Sequence, residues 1–107
     1  MNECVVVGRV KELPEVRKTA KGTTLTNLIV ESDRNFRDED GKFSTDIFSV
    51  TVWRGAAETA ASLCKPGSMI AIKGRLNGKL IQKEDREYYF TEIIAESIDY
   101  LRGLTAV

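Results

Sequence analysis

Thr45–Leu76 reads TDIFSVTVWRGAAETAASLCKPGSMIAIKGRL, and this stretch decides the architecture. From Thr45 to Arg54 the residues alternate. Phe48, Val50 and Val52 fall on one face of an extended strand, and Ile47, Ser49, Thr51 and Trp53 fall on the other. The first set suits a core. Ala56 to Cys64 is the one good helical stretch, opened by Gly55 and closed by Lys65-Pro66-Gly67, which cannot continue a helix. Alternation returns from Met69 to Leu76, with Ile70, Ile72, Gly74 and Leu76 on one face and Ala71, Lys73 and Arg75 on the other. The unit is strand, short helix, strand, and one strand face is basic.

Outward from this unit the chain reads as strands. Upstream, Glu3 to Val10 is β-branched and ends before Leu13-Pro14, where proline stops or bends a strand. Lys18 to Thr23 is turn-like, and Thr24 to Ser32 carries enough Thr, Leu, Ile and Val for a second strand, so these two strands are expected to form a hairpin. Asn35 to Lys42 is charged and holds Asp40-Gly41, compatible with a type I′ turn; it is expected to be a solvated loop with Phe36 as its only large apolar residue. Downstream, Lys79 to Glu87 reads as a charged, mobile connection, and Tyr88 to Tyr100 as a fifth strand. Five strands with one short helix between strands three and four is the element order of an all-β OB-fold barrel, here a single domain over residues 1–107. Other small barrels and α+β sandwiches share that order.

Composition narrows the function classes. The 107 residues are 42% hydrophobic and 30% charged, the balance of one soluble globular domain with a modest core. No window approaches the roughly 18 apolar residues of a membrane span, and the N-terminus carries no leader, so a cytoplasmic protein is expected. Cys4 and Cys64 form no C-x-x-C pair and have no His to complete a metal site; two buried, reduced thiols are expected. With no His, no nucleophile motif and no Gly-rich phosphate loop, no catalytic residue, cofactor or metal is expected, and the chain is read as a non-enzyme. Asp38, Glu39 and Asp40 lack calcium-loop spacing and read as solubilising charge. Sixteen basic residues against 16 acidic give no net charge, although phosphate contacts normally leave a basic excess. Any nucleic-acid reading therefore rests on how the charges are distributed between faces. Trp53, an aromatic residue on the polar face of its strand, is not explained by core packing.

Several fragments in register carry a resemblance: Val5-Val6-Val7-Gly8-Arg9-Val10 with Pro14-Glu15-Val16-Arg17, Gly22 and Asn27-Leu28; Asn35-Phe36-Arg37-Asp38 before Gly41; Thr45-Asp46; Trp53 with Ala57-Glu58; Lys65-Pro66-Gly67-Ser68; Lys73-Gly74-Arg75-Leu76; and Tyr89 to Glu96. Together the chain resembles the bacterial single-stranded DNA-binding proteins over nearly its whole length. The resemblance implies sequence-independent binding of single-stranded DNA in replication, recombination or repair, through aromatic platforms for bases and cations for phosphates. It implies stacking positions at Phe36, Ile47, Trp53 and Ile81, of which two are aromatic here; aromatic residues are usual at the places of Ile47 and Ile81. Cations would come from Arg9, Arg34, Arg37, Arg54, Lys73 and Arg75, with Lys79 and Lys83 on the connection. The resemblance further implies a homo-oligomer, a tetramer built from dimers, in which the strand from Asn2 to Val10 pairs with its symmetry mate. Members of the family usually carry an acidic C-terminal tail that recruits partners, and the run from Leu101 to Val107 is expected to carry none. An alternative stays open: a tail-less OB module of a replication-restart complex of the primosomal type, dimeric, with weak or no DNA binding.

Overall fold

The structure is a computed structural model that describes residues 1–105, with side chains placed to Leu101. Ala106 and Val107, the end of the run expected to lack a tail, lie outside the described residues. In chain order the elements are β1 (Cys4–Val10), β2 (Arg17–Lys18), β3 (Thr24–Arg37), β4 (Phe43–Trp53), α1 (Gly55–Leu63), β5 (Ser68–Lys83) and β6 (Arg86–Thr105).

The strands follow the order β1-β5-β6-β4-β3, and a β1–β3 pairing closes the ring, so the expected five-stranded barrel is present. The two-residue β2 lies outside the ring, folded back on the start of β3. All neighbours are antiparallel except β4 and β6, which pair in parallel at Val50–Ile93 and Thr51–Ile94. The expected antiparallel pairing of the first two long strands is present but short. β1 pairs with β3 at Arg9 and Val10, whereas it pairs with β5 from Cys4 to Arg9. Segment 11–23 is too long and too irregular for a tight hairpin, and the β-branched face of β1 finds its cover on Ile70 and Ile72.

Leu28, Val30, Val50, Val52 and Ile70 are fully shielded from solvent, each contributing about 1.5–3 kcal/mol of transfer free energy. Ala57, Ala60 and Cys64 bring α1 against this cluster, and their small side chains let the helix sit close to β3 and β4. Among the described residues Thr26 is the one fully buried polar residue of the barrel wall, and its hydroxyl donates to the Glu15 carbonyl (2.8 Å), which removes the cost of an unpaired group. Cys64 is buried as expected, and burial pushes its thiol pKa up; Cys4 is only half-buried, because it lies near the start of β1. No helix among the described residues is long and apolar enough to cross a membrane.

Two glycines allow the barrel to bend. A Cβ at Gly8 would collide with the Glu31 carbonyl where β1 crosses β3, and one at Gly74 with the Ile94 carbonyl where the β5–β6 register slips. Both collisions are with backbone, so no side-chain rotation relieves them.

Candidate nucleic-acid interface

Two hairpins grow out of the barrel beyond the lengths expected. β3 continues through Asn35, Phe36 and Arg37, which were expected in a solvated loop; only Asp38–Lys42 is loop. Its turn is not type I′. The Gly41 amide donates to the Asp38 carbonyl (3.0 Å), and only Gly41 has positive φ (76°), which is a type I turn followed by a left-handed residue. The Asp38 carboxylate caps the loop by accepting from the Asp40 and Lys42 amides, and these bonds, that to Lys42 first, hold its pKa below the usual carboxylate range.

The charged connection Lys79 to Glu87 is likewise corrected. It is an uninterrupted antiparallel ribbon, paired from Gly74–Ala95 to Lys83–Arg86, and closed by Glu84 and Asp85 with φ of 50° and 64°. Two left-handed residues in a two-residue turn make the type I′ form whose twist matches the strands. Every residue from 78 to 91 is exposed, so burial does not distinguish the two faces and hydropathy could not reveal the pairing. Leu76, expected on the core face, is exposed for the same reason: β5 has left the barrel by that point.

β4 places the candidate platforms. The alternation read from Thr45 to Arg54 is present, with Val50 and Val52 inward and Phe48 packed on the core, while Ile47 is 55% exposed and Trp53 half-buried on the outer face. Trp53 stands opposite Leu25 of β3, a buried apolar residue outside the main core, and is itself half-buried.

Between these residues runs a polar chain that the sequence did not reveal. Arg17 donates to Asn27 Oδ1 (2.6 Å), Asn27 to Thr51 Oγ1 (3.2 Å), and Thr51 to Glu92 Oε2 (3.3 Å). Asn77 donates to Glu92 Oε1 (2.8 Å), and Lys79 Nζ lies 3.4 Å from the same oxygen. The Asn77 bond, with Lys79 and Thr51, holds the Glu92 carboxyl below its ordinary range against desolvation. Beside this chain a cleft of about 330 Å³ opens, lined by Asn27, Ile47, Thr51, Phe90 and Glu92 among others. Nothing in the local sequence places Phe90 in this cleft. Its place in the cleft depends on a register between residues 11 apart across the ribbon, Lys79 with Phe90.

The candidate cations divide into two groups. Arg9 is clamped by Asp33 (2.9 and 3.2 Å) and lies 3.6 Å from Glu31; the Arg9 hydrogen bond in turn keeps Asp33 below the usual carboxylate range. Arg34 pairs with Asp46 (2.8 Å), Lys73 with Glu3 (3.6 Å) and Lys79 with Glu92. Arg37 stacks over the Phe43 ring at 4.7 Å, a cation–π contact on the outer hairpin. Arg37, Arg54, Arg75 and Lys83 make no ion pair among the described residues. Arg54 directly follows Trp53 and takes φ 59° and ψ −137° at the head of α1. Arg75 shares the outer face with Thr51 through Ile94. Lys73 lies on the same face of β5 as Arg75, opposite Val5 of β1, but is paired with Glu3. Phe36 is 63% exposed on the outer hairpin, and Ile81, 39% exposed, on the ribbon. Among the described residues no cluster of acidic or Cys side chains could hold a metal.

Known proteins are similar to this chain in sequence and in fold. The sequence profile of the single-strand binding protein family matches residues 1–101. Single-stranded DNA-binding protein 2 of Listeria innocua is 33% identical over 102 residues, covering 94% of this chain and 64% of that protein. The crystal structure of the single-stranded DNA-binding protein from Thermus aquaticus superposes with a TM-score of 0.81 at 26% identity, over 96% of this chain and 51% of that one. A Plasmodium falciparum counterpart, solved as a complex with single-stranded DNA, gives 0.77 at 19% identity over 94% of this chain, a likeness of fold. The chain thus spans less than two thirds of the length of the Listeria relative, but the family profile covers nearly all of it. Its closed barrel, its outward aromatic strand and this match over residues 1–101 identify it as a member of the single-strand binding protein family.

Proposed function

We propose that this chain binds single-stranded DNA without regard to sequence, as a non-catalytic protein of DNA replication, recombination or repair. The observation that carries the reading is Trp53: half-buried on the outer face of β4, next in sequence to Arg54, and on the same face as Ile47 and its cleft. Phe36 and Trp53 would stack bases, Ile47 and Ile81 would give apolar contact, and Arg37, Arg54, Arg75 and Lys83 would meet phosphates. Arg9, Arg34, Lys73 and Lys79 would do so only by exchanging a carboxylate for a phosphate. A cytoplasmic location accompanies this reading.

The working unit is a homo-oligomer, with a tetramer favoured over a dimer. Residues Cys4 to Val6 of β1 pair with β5 on one edge and have no strand on the other among the described residues, whereas Ser32 of β3 donates to the Val7 carbonyl; Val5 and Val7 are 69% and 48% exposed. An open β-branched edge invites another strand. Sedimentation at micromolar concentration is expected to give a tetramer; a monomer would remove this part of the reading.

Fluorescence tests the DNA reading, since Trp53 is the sole tryptophan. Oligo-dT is expected to quench its emission strongly, and duplex of equal length weakly, because paired bases cannot splay onto the sheet. Half of the eight candidate cations already hold carboxylates, which favours the second reading, an adaptor barrel of weak affinity. Unquenched Trp53 with no measurable oligo-dT affinity would decide for the adaptor.

A further inference from the structure

Two of the four implied stacking positions, Ile47 and Ile81, offer no π-face. The register of the ribbon supplies two aromatic rings beside them. Antiparallel partners directly opposite one another project from the same face. Tyr88 is the partner of Ile81, and Phe90 is the partner of Lys79 and lines the cleft with Ile47.

Alternation then sorts the whole ribbon. Asn77 with Glu92, Lys79 with Phe90, Ile81 with Tyr88 and Lys83 with Arg86 share one face. Gly78 with Thr91, Leu80 with Tyr89 and Gln82 with Glu87 share the other. The first face joins the platform face of β4, because Glu92 accepts from Thr51, two residues before Trp53. It carries three cations against the single acid Glu92, whereas the second face carries Glu87 and no cation. Tyr88 and Phe90 are 46% and 48% exposed on a ribbon whose residues 78–91 are all exposed, so burial in the core does not account for them. Aromatic rings interleaved with cations along an exposed strand fit a polyanion with stackable bases.

We propose that Phe90 and Tyr88 are the base-stacking platforms in place of Ile47 and Ile81, and that they lead the single strand out along the Lys79, Lys83 and Arg86 face of the ribbon. The proposal rests on the DNA reading above and specifies where on the molecule it takes effect.

Oligo-dT titrations of Phe90→Ala, Tyr88→Ala and Tyr89→Ala test it, each followed through Trp53 emission, with thermal melts and sedimentation alongside. Stacking worth about 1–3 kcal/mol per base predicts affinity losses of roughly 5- to 150-fold for each of the first two. Phe90→Tyr and Tyr88→Phe should restore it, Phe90→Leu should not, and Tyr89→Ala, on the opposite face, should bind as the parent does. In a Trp53→Phe background, Tyr88→Trp should report oligo-dT by its own quenching. If the parent protein fails to quench, the DNA reading itself is wrong. If the parent binds but the Phe90 and Tyr88 variants bind equally well, this proposal is overturned and the reading stands. Equal losses in all three alanine variants would overturn the face assignment, and a loss tracking a smaller sedimenting species would assign the face to a second copy of the chain.

Discussion

Arg54 holds a backbone conformation, φ 59° with ψ −137°, that glycine tolerates far better, at a cost of order 1–3 kcal/mol. Retaining arginine there, directly after Trp53, makes sense if its charge is used. Arg54→Gly is therefore expected to hold or raise the thermal midpoint while weakening oligo-dT binding, a divergence that melting and titration on one preparation would reveal; a loss of both would show a structural role only. Glu92 predicts the reverse pairing. Its folded-state pKa is depressed, so its contribution to stability is present above the ordinary carboxylate range and is lost as pH falls through the lowered value. Glu92→Gln should melt earlier than the parent at neutral pH, with the gap closing in acid. The same change releases Lys79, 3.4 Å away, and should tighten DNA binding and steepen the salt slope by about 0.7. Trp53 could be placed on the correct face from the sequence because alternation is local. The partners of Glu92 could not: Thr51 lies 41 residues away, and only the parallel β4–β6 pairing brings them together.

The barrel elements and the two projecting hairpins respond to different changes. At Gly8 and Gly74 the neighbouring strand's carbonyl occupies the place of a Cβ, so Gly8→Ala and Gly74→Ala should each destabilise the fold by about 1–3 kcal/mol in urea unfolding. The ribbon tip offers the opposite opportunity. Glu84 and Asp85 both sit at positive φ, where Asn-Gly is the favoured pair, so Glu84→Asn with Asp85→Gly should tighten the ribbon. Slower amide exchange from Lys79 to Phe90 is the expected readout, with little change in the global melt because the ribbon lies off the core. Both hairpins were misjudged as loops from sequence for one reason. A strand is recognised by a buried face alternating with a wet one, and residues 33–43 and 78–91 are exposed throughout.

For the molecule as a whole, zero net charge is accommodated by local pairing more than by segregation. Four of the eight candidate cations are tied to carboxylates, which leaves the other four and Arg86 for phosphates and a slope of log affinity against log salt of about −3.5 per protomer at −0.7 per contact. Poly-dT titrations from low to high salt would measure it, and a much steeper slope would mean that the paired arginines exchange partners on binding.

The sequence by itself determined the five strands, the helix between the third and fourth, the inward set Val50, Val52, Ile70 and Ile72, and the outward position of Trp53. Those follow from hydrophobic period and from residues that stop a helix, properties of neighbouring residues. Only the tertiary structure decided that β1 closes on β5, that Lys79 to Glu87 is a ribbon, that Phe90 shares a cleft with Ile47, and that Arg9 is clamped by Asp33. The ribbon is hidden because neither of its faces is buried, and the other three depend on the register between strands distant in sequence. That register is set when the hydrophobic faces of distant strands close around one core, which no single segment of the sequence specifies alone.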